Sequence, residues 1–364
     1  MPLPRSADPP RSENKKLPAQ TEAAVLFELN KPLRLVSLSL PELRPGQVLV
    51  EVAYSGVCHS QLLEVLGKRG ADPYLPHTLG HEGSGTVAAV GEAVMKAKPG
   101  NRVVLSWIKG EGKETGSTSY RSEKGVINSG ALSTFLHYAV ISENRLVPIP
   151  DKMPLREAAM LGCAIPTGVG MIRNTAKVKP GSLIAIFGVG GIGLSGVLGC
   201  VLAEAKVIIA VDVVEEKLNL ARKLGATHVI NGKKENAVEA ILKITDGKGA
   251  DYAVECAGRR ETMEAAFESV RPSGGLCVLA GNLSRGEKIS IDPFGLIQGK
   301  QIVGTWGGET VPDRDIPFYA EEYLSGRLKL DALITHEYPL GEINSALNDL
   351  KEGKVGRAVI KLKA

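Results

Sequence analysis

Three residues of metal-binding type stand far apart in the chain: Cys58 in GVCHS, His81 in GHEG and Cys163 in LGCAIPTG. Singly, each has a plain structural reading. An isolated cysteine is usually a small buried hydrophobe, and a histidine before glutamate is often just a polar residue at a strand end. Together they make a Cys₂His set. A catalytic zinc takes three protein ligands and keeps a fourth position for water or substrate. Ligands drawn from distant stretches suit a cleft, and the paired C-x-x-C hooks of a structural zinc occur nowhere in the 364 residues. An ion held this way would act as a Lewis acid on an oxygen of the bound substrate.

A second chemical signature is Gly188-Val189-Gly190-Gly191-Ile192-Gly193, which follows the apolar run SLIAIF and opens a helical pattern. In this spacing Gly188 permits a tight turn. Gly190 lets backbone approach a pyrophosphate, and Gly193 lets helix pack on strand. The helix N-terminus then turns free N–H groups towards phosphate. Asp212 ends the next apolar run, VIIAVD, about twenty residues further on, where a carboxylate accepts from the adenosine ribose hydroxyls. Its alternative reading is a helix N-cap ahead of VVEEKLNLARKLG. A carboxylate at that point repels a 2′-phosphate, which favours NAD over NADP.

The elements that must position these residues change character along the chain. From Ala23 to about Gly100 short alternating runs (AAVLFELN, LRLVSLSL, VLVEVAYSG) are broken by Pro and Gly, with Val48, Val50 and Val52 expected on one face. After Pro180-Gly181, apolar strands alternate with helices, which implies βαβ units and a parallel sheet covered on both faces. Past Gly307 the texture is mixed again. A β-rich start, a doubly wound middle and a short return segment suggest one domain inserted in another.

Bulk composition narrows the function classes. With 43% hydrophobic and 23% charged residues, 42 glycines and a net charge of +4, the chain reads as a globular α/β protein. No basic block points to nucleic acid, and no apolar run is long enough to span a bilayer. Five scattered cysteines argue for a reducing compartment without a disulfide framework. Residues 1–20, rich in proline and charge, read as a disordered leader rather than a signal peptide. A cytoplasmic enzyme is expected.

The segment GHEGSGTVAAVGEAV, with Cys58-His59-Ser60 upstream, Cys163 downstream and the glycine fingerprint beyond, resembles the zinc-containing medium-chain alcohol dehydrogenases. The likeness runs from residue 22 to the end. It implies a GroES-like β-rich catalytic domain (21–164 and 307–364) around a Rossmann NAD-binding domain (165–306). By the same likeness Cys58, His81 and Cys163 ligate one catalytic zinc per chain, Glu82 lies behind the metal, and Ser60 hydrogen-bonds the substrate oxygen. NAD would be held by Gly188, Gly190, Gly191, Gly193, Asp212, Lys217, Arg259 and Arg357, with Thr167 beside the nicotinamide and Arg357 also reaching Glu82. Trp107 would overhang the zinc and Trp306 lie near the nicotinamide, though core packing is the competing reading for both indoles. Lys109, Lys113, Arg121 and Lys124 are either a solvated loop or contacts for an acidic substrate tail. The implied assembly is a homodimer or homotetramer acting on a small alcohol or carbonyl.

Three departures from the family pattern matter. The region WIKGEGKETGSTSYRSEKGVINSG lacks the four cysteines of the structural-zinc lobe. Gln61 stands where the family has an aspartate that accepts from the ligating histidine, and is expected to act as a neutral acceptor. Leu63 replaces the histidine that ends the proton relay in several relatives; His59 is near, although its position in the family faces cofactor phosphate. Rival readings are a zinc-dependent polyol or sugar dehydrogenase, a zinc-free quinone or enoyl reductase, and a non-catalytic NAD-binding protein.

Overall fold

The structure, a computed structural model, describes residues 17–284 and 286–363. The middle of the chain forms a six-stranded sheet in which every pairing is parallel. Its spatial order is His228–Asn231, Val207–Asp212, Leu183–Phe187, Tyr252–Glu255, Leu276–Leu279, Gln301–Gly304. In chain order this is 3-2-1-4-5-6, so the sequence of strands reverses beside Leu183–Phe187, where open α/β sheets bind ligands. Helices Gly191–Leu202, Glu215–Leu224, Ala237–Ile244 and Arg260–Ser269 provide crossovers. Alternate side chains serve opposite faces: Ile184 and Ile186 join one apolar cluster, Ala185 and Phe187 another.

The flanking segments build a different layer. A closed barrel runs through Gln20–Leu26, Arg34–Ser39, Ser119–Ser122, Gly125–Asn128 and His77–Thr78. Beside it, a seven-stranded sheet is centred on Gln47–Val57, which pairs with Glu82–Val90, Tyr138–Ser142 and the late strand Ala358–Lys361. The end of the chain therefore completes a sheet begun by its start. Val48, Val50 and Val52 are buried, but the expected alternation is absent: everything in this strand except Glu51 and Tyr54 is buried. A central strand flanked on both edges and packed on both faces has no solvent side. The leader expected over 1–20 falls outside the described residues up to 16, and Gln20 already opens the first strand.

The two layers meet where the helix after Cys163, Ala164–Gly170, lies on helix Gly191–Leu202. A Cβ at Gly168 would stand 2.4 Å from that of Ser195 and 2.5 Å from the Ile192 carbonyl, so glycine there is what lets the helices approach.

The segment that lacks cysteines is held by ions and hydrogen bonds. Glu114 pairs with Lys109 at 3.0 Å and Arg145 at 3.3 Å, and accepts from the Gly116 N–H at 3.1 Å. Arg145 also donates to the Trp107 carbonyl, which ties this knot to the indole. Burial alone would raise the Glu114 carboxyl, but Lys109, the Gly116 N–H and Arg145 outweigh it and hold it at about 2, against an ordinary 4.5. A depressed carboxyl contributes stability above its unfolded value and loses it as pH falls towards the folded one. Glu114→Gln should therefore melt roughly 2 °C below wild type at pH 7, and the gap should narrow between pH 4.5 and 3. A gap of constant size across that range would show that ionisation of Glu114 contributes nothing.

Candidate active site

Strand Gln47–Val57 delivers Cys58, which caps the short helix His59–Val65. His81 immediately precedes strand Glu82–Val90, and Cys163 separates a 3₁₀ turn from helix Ala164–Gly170. The two sulfurs and a ring nitrogen of His81 all lie within 4.8 Å of one another. His81 Nε2 is 3.2 Å from Cys163 Sγ, and both cysteines are buried. Hydrogen bonding from Cys163 pulls the Cys58 thiol well below its ordinary value against the burial that raises it, with His81 adding to the pull.

The Gln61 amide bridges Cys58 and His81. Its carbonyl oxygen accepts the Cys58 N–H at 2.8 Å, so its amide nitrogen, not its oxygen, faces His81 Nδ1 at 2.8 Å. The cap of the helix dictates that orientation. Behind the set, Glu82 is wholly buried, accepts the Ala164 N–H at 3.2 Å and pairs with the Arg357 guanidinium.

Cys58, His81 and Cys163 open onto a cavity of about 470 Å³ also lined by Ser60, Thr167, Trp107 and Trp306. Ser60 Oγ lies 3.4 Å from His81 Nδ1. The indoles meet edge to face with centroids 5.3 Å apart, and Trp306 is 73% exposed, so core packing does not describe it. His59 is exposed and does not line this cavity. One residue along a helix turns a side chain by about 100°, which takes His59 away from the face of Ser60. Although part of the side chain reaches solvent, the protein packed around its ring lowers its imidazole, the Cys58 charge raises it and Lys217 lowers it further. Lys109 is engaged by Glu114, Lys124 sits 5.0 Å over the Phe27 ring, and none of Lys109, Lys113, Arg121 and Lys124 lines the cavity.

The glycine loop turns at Gly188, with φ of +84°. A Cβ at Gly193 would sit 1.9 Å from the Gly188 carbonyl oxygen, whereas one at Gly190 would meet nothing within 4 Å. The loop is thus tight beneath and open above. Arg357 approaches Gly191 from the other layer, and its Nε is buried without a hydrogen-bond partner among the described residues. Asp212 accepts the Val189 N–H at 2.9 Å and the Val213 and Val214 N–H groups at 2.7 and 3.0 Å. It therefore clamps the glycine loop and the Val213–Val214 turn, but it is not the cap of the following helix, which starts from Val214 with no side-chain cap. Lys217 is near enough to His59 for its charge to be felt there, and Arg259 is exposed, 3.7 Å from Glu261.

Sequence reasoning missed part of the cavity wall. Glu64, Arg69 and His77 line it, and His77 Nε2 lies 2.7 Å from Asp72 and 3.7 Å from Glu64. The available signal was the density of charge in LLEVLGKRGADPYLPH and the four-residue step from Ser60 to Glu64 along a helix.

Comparison with known proteins gives a consistent result. Residues 44–151 match the alcohol dehydrogenase GroES-like domain and residues 191–321 the zinc-binding dehydrogenase domain. The chain is 34% identical to the S-(hydroxymethyl)glutathione dehydrogenase of Synechocystis sp., over 94% of this chain and 99% of that protein. Among solved structures, an alcohol dehydrogenase zinc-binding domain protein from Burkholderia ambifaria superposes with a TM-score of 0.88 at 33% identity, covering 95% of this chain and 99% of that one. The benzyl alcohol dehydrogenase of Acinetobacter calcoaceticus gives 0.87 at 32%, covering 94% and 99%.

The geometry at Gly193 yields a direct test. Gly193→Ala forces a methyl against the Gly188 carbonyl, and overpacking of this kind costs about 1–3 kcal/mol. Urea unfolding should register that loss, while Gly190→Ala, with open space above it, should unfold like wild type.

Proposed function

The chain belongs to the zinc-containing medium-chain alcohol dehydrogenase family, and from that membership we propose that it moves hydride between an alcohol and NAD at the Cys58–His81–Cys163 cavity. The observation that carries the reading is the convergence of two buried sulfurs and one imidazole on a cavity that also holds Ser60. That donor set fits a catalytic zinc, which has three protein ligands and one open position. When bound, zinc supplies Lewis acidity at the substrate oxygen. The open face of the glycine loop and the unpartnered Arg357 Nε fit a pyrophosphate, and NAD supplies the hydride acceptor.

The chain's own residues do the rest. Ser60 accepts the alcohol proton. Thr167 and Trp306 border the nicotinamide end of the cavity, and Trp107 covers the reacting carbon. Asp212 reads the ribose hydroxyls with the oxygen capacity left beyond its three backbone contacts, and disfavours a 2′-phosphate. Glu82 and Arg357 hold the ligand set from behind. Apolar walls from Trp107, Trp306, Leu132 and Ile192 favour an alcohol whose reacting end is uncharged. The polar flank of Glu64, Arg69, Ser129 and Asn282 supports a polyhydric alcohol as the second reading. Five unpaired cysteines agree with a reducing, cytoplasmic setting, and no described helix is long and apolar enough to cross a membrane.

Metal analysis should find one zinc per chain, and NADH formation over a panel of simple alcohols and polyols should stop on chelation and return with zinc. NADP should serve at least tenfold less well than NAD. Activity that survives chelation would instead support a zinc-free reductase.

The edge of the parallel sheet supports an assembly. Among the described residues strand Gln301–Gly304 has an unpaired outer edge, and Val303, Phe294, Leu296 and Ile297 nearby are exposed apolar side chains. An open apolar edge invites pairing with another chain, and we assign it to a homodimer. Val303→Asp should shift the sedimentation coefficient towards monomer; an unchanged value would remove this edge from the interface.

A further inference from the structure

Leu63 leaves the proton relay without its terminal histidine, yet the cavity wall carries a carboxylate that the chemistry above does not use. Glu64 lies four residues after Ser60 on helix His59–Val65, so the two side chains share one face a turn apart. Both line the cavity. The Glu64 side chain is 28% exposed, buried enough to feel the protein and open enough to exchange with water. It faces His77 Nε2 at 3.7 Å and Arg69 Nη1 at 3.8 Å, with Asp72 and the His81 ring also acting on it. Burial lifts its carboxyl above the ordinary glutamate value, while His77 and Arg69 pull it down and Asp72 pushes it up.

The group beyond Glu64 is itself fixed. His77 Nδ1 is 3.0 Å from the Thr78 carbonyl oxygen and its Nε2 is 2.7 Å from Asp72. Both ring nitrogens thus face oxygen atoms, which fixes the plane of the imidazole beside Glu64. Arg69 and Tyr74 border the same wall and are exposed to solvent.

We propose that Glu64 receives the alcohol's proton from Ser60 and passes it to solvent along the His77–Asp72 side of the cleft. The proposal rests on the functional reading above. In alcohol oxidation the carbon gives up a hydride, with its electron pair, to NAD. The hydroxyl proton goes to Ser60 Oγ as the Ser60 proton leaves through an intervening water to the Glu64 carboxylate, making the neutral acid. Release of that proton past Arg69 restores the carboxylate, so one NADH and one proton appear per alcohol oxidised.

The test compares wild type with Glu64→Gln and Glu64→Asp, each zinc-loaded and checked by thermal melting. In the oxidation direction kcat for wild type should fall on the acid side, with an inflection above the ordinary glutamate range, because the base works only when ionised. Glu64→Gln should lose that inflection and about tenfold or more of kcat, with KM within twofold, and Glu64→Asp should recover part of both. With an indicator dye in stopped flow, proton release in Glu64→Gln should lag NADH formation. A readout independent of turnover is the infrared titration of ¹³C-glutamate-labelled protein, in which buried Glu255 also titrates above the ordinary range and the signal that Glu64→Gln removes should be a second one in that range. Turnover of Glu64→Gln within threefold of wild type, or a loss that leaves the pH profile unaltered, overturns the relay. Absence of NAD-linked turnover in wild type overturns the functional reading itself and is recognisably a different failure.

Discussion

The buried pair of Glu82 and Arg357 is the contact on which the arrangement of the site depends. A carboxylate with no exposed surface costs several kcal/mol to desolvate unless a partner offsets it, and here the partner comes from the far end of the chain. The sheet register explains how they meet. Ser55 pairs with Gly83 and Val57 with Ala358, so Cys58, Glu82 and Arg357 gather at one end of three adjacent strands. Arg357 then spans from Glu82 to Gly191. One ion pair thereby fixes the wall behind the sulfur and imidazole donors and one side of the glycine loop.

The second constraint is the close packing of helices Ala164–Gly170 and Gly191–Leu202. The first begins at Cys163 and the second at the glycine loop, so the distance between the two candidate ligand sites is set by a helix contact with almost no slack. Interiors packed this tightly transmit displacement rather than absorb it. Thr167, one turn into the first helix and lining the cavity, is carried into place by the same contact.

How much of this was legible in the sequence depends on whether a feature is local. The glycine loop was legible because its requirements are backbone requirements: a positive φ at Gly188 and no room for a Cβ at Gly193 leave a residue-level trace. The donor set was legible because cysteine and histidine are rare and their glycine-bounded segments are distinctive. The orientation of Gln61 was not, since it is decided by which backbone N–H its oxygen accepts. Nor was the double burial of strand Gln47–Val57, which depends on neighbours contributed from residue 138 onward and from residue 358. His77 and Asp72 were illegible for a similar reason. Each is an ordinary polar residue until folding sets them 2.7 Å apart, with His77 on the cavity wall.

Charge balance connects Gln61 to that wall. With the proposed zinc held by two thiolates and a neutral imidazole, formal charges at the ion cancel, and the Glu82–Arg357 pair behind it is neutral as a unit. A neutral amide at position 61 adds nothing to this sum, so the ligand set has no need of a further counter-charge. A carboxylate stands instead one helical turn further on, at Glu64, where it borders the cavity. There the Glu64 carboxylate faces the Arg69 guanidinium and the His77 ring, and Asp72 faces His77 from the other side. An additional proton on Glu64 therefore changes the charge of the polar wall while the metal set stays balanced, which is the separation that a proton carrier beside a Lewis acid requires.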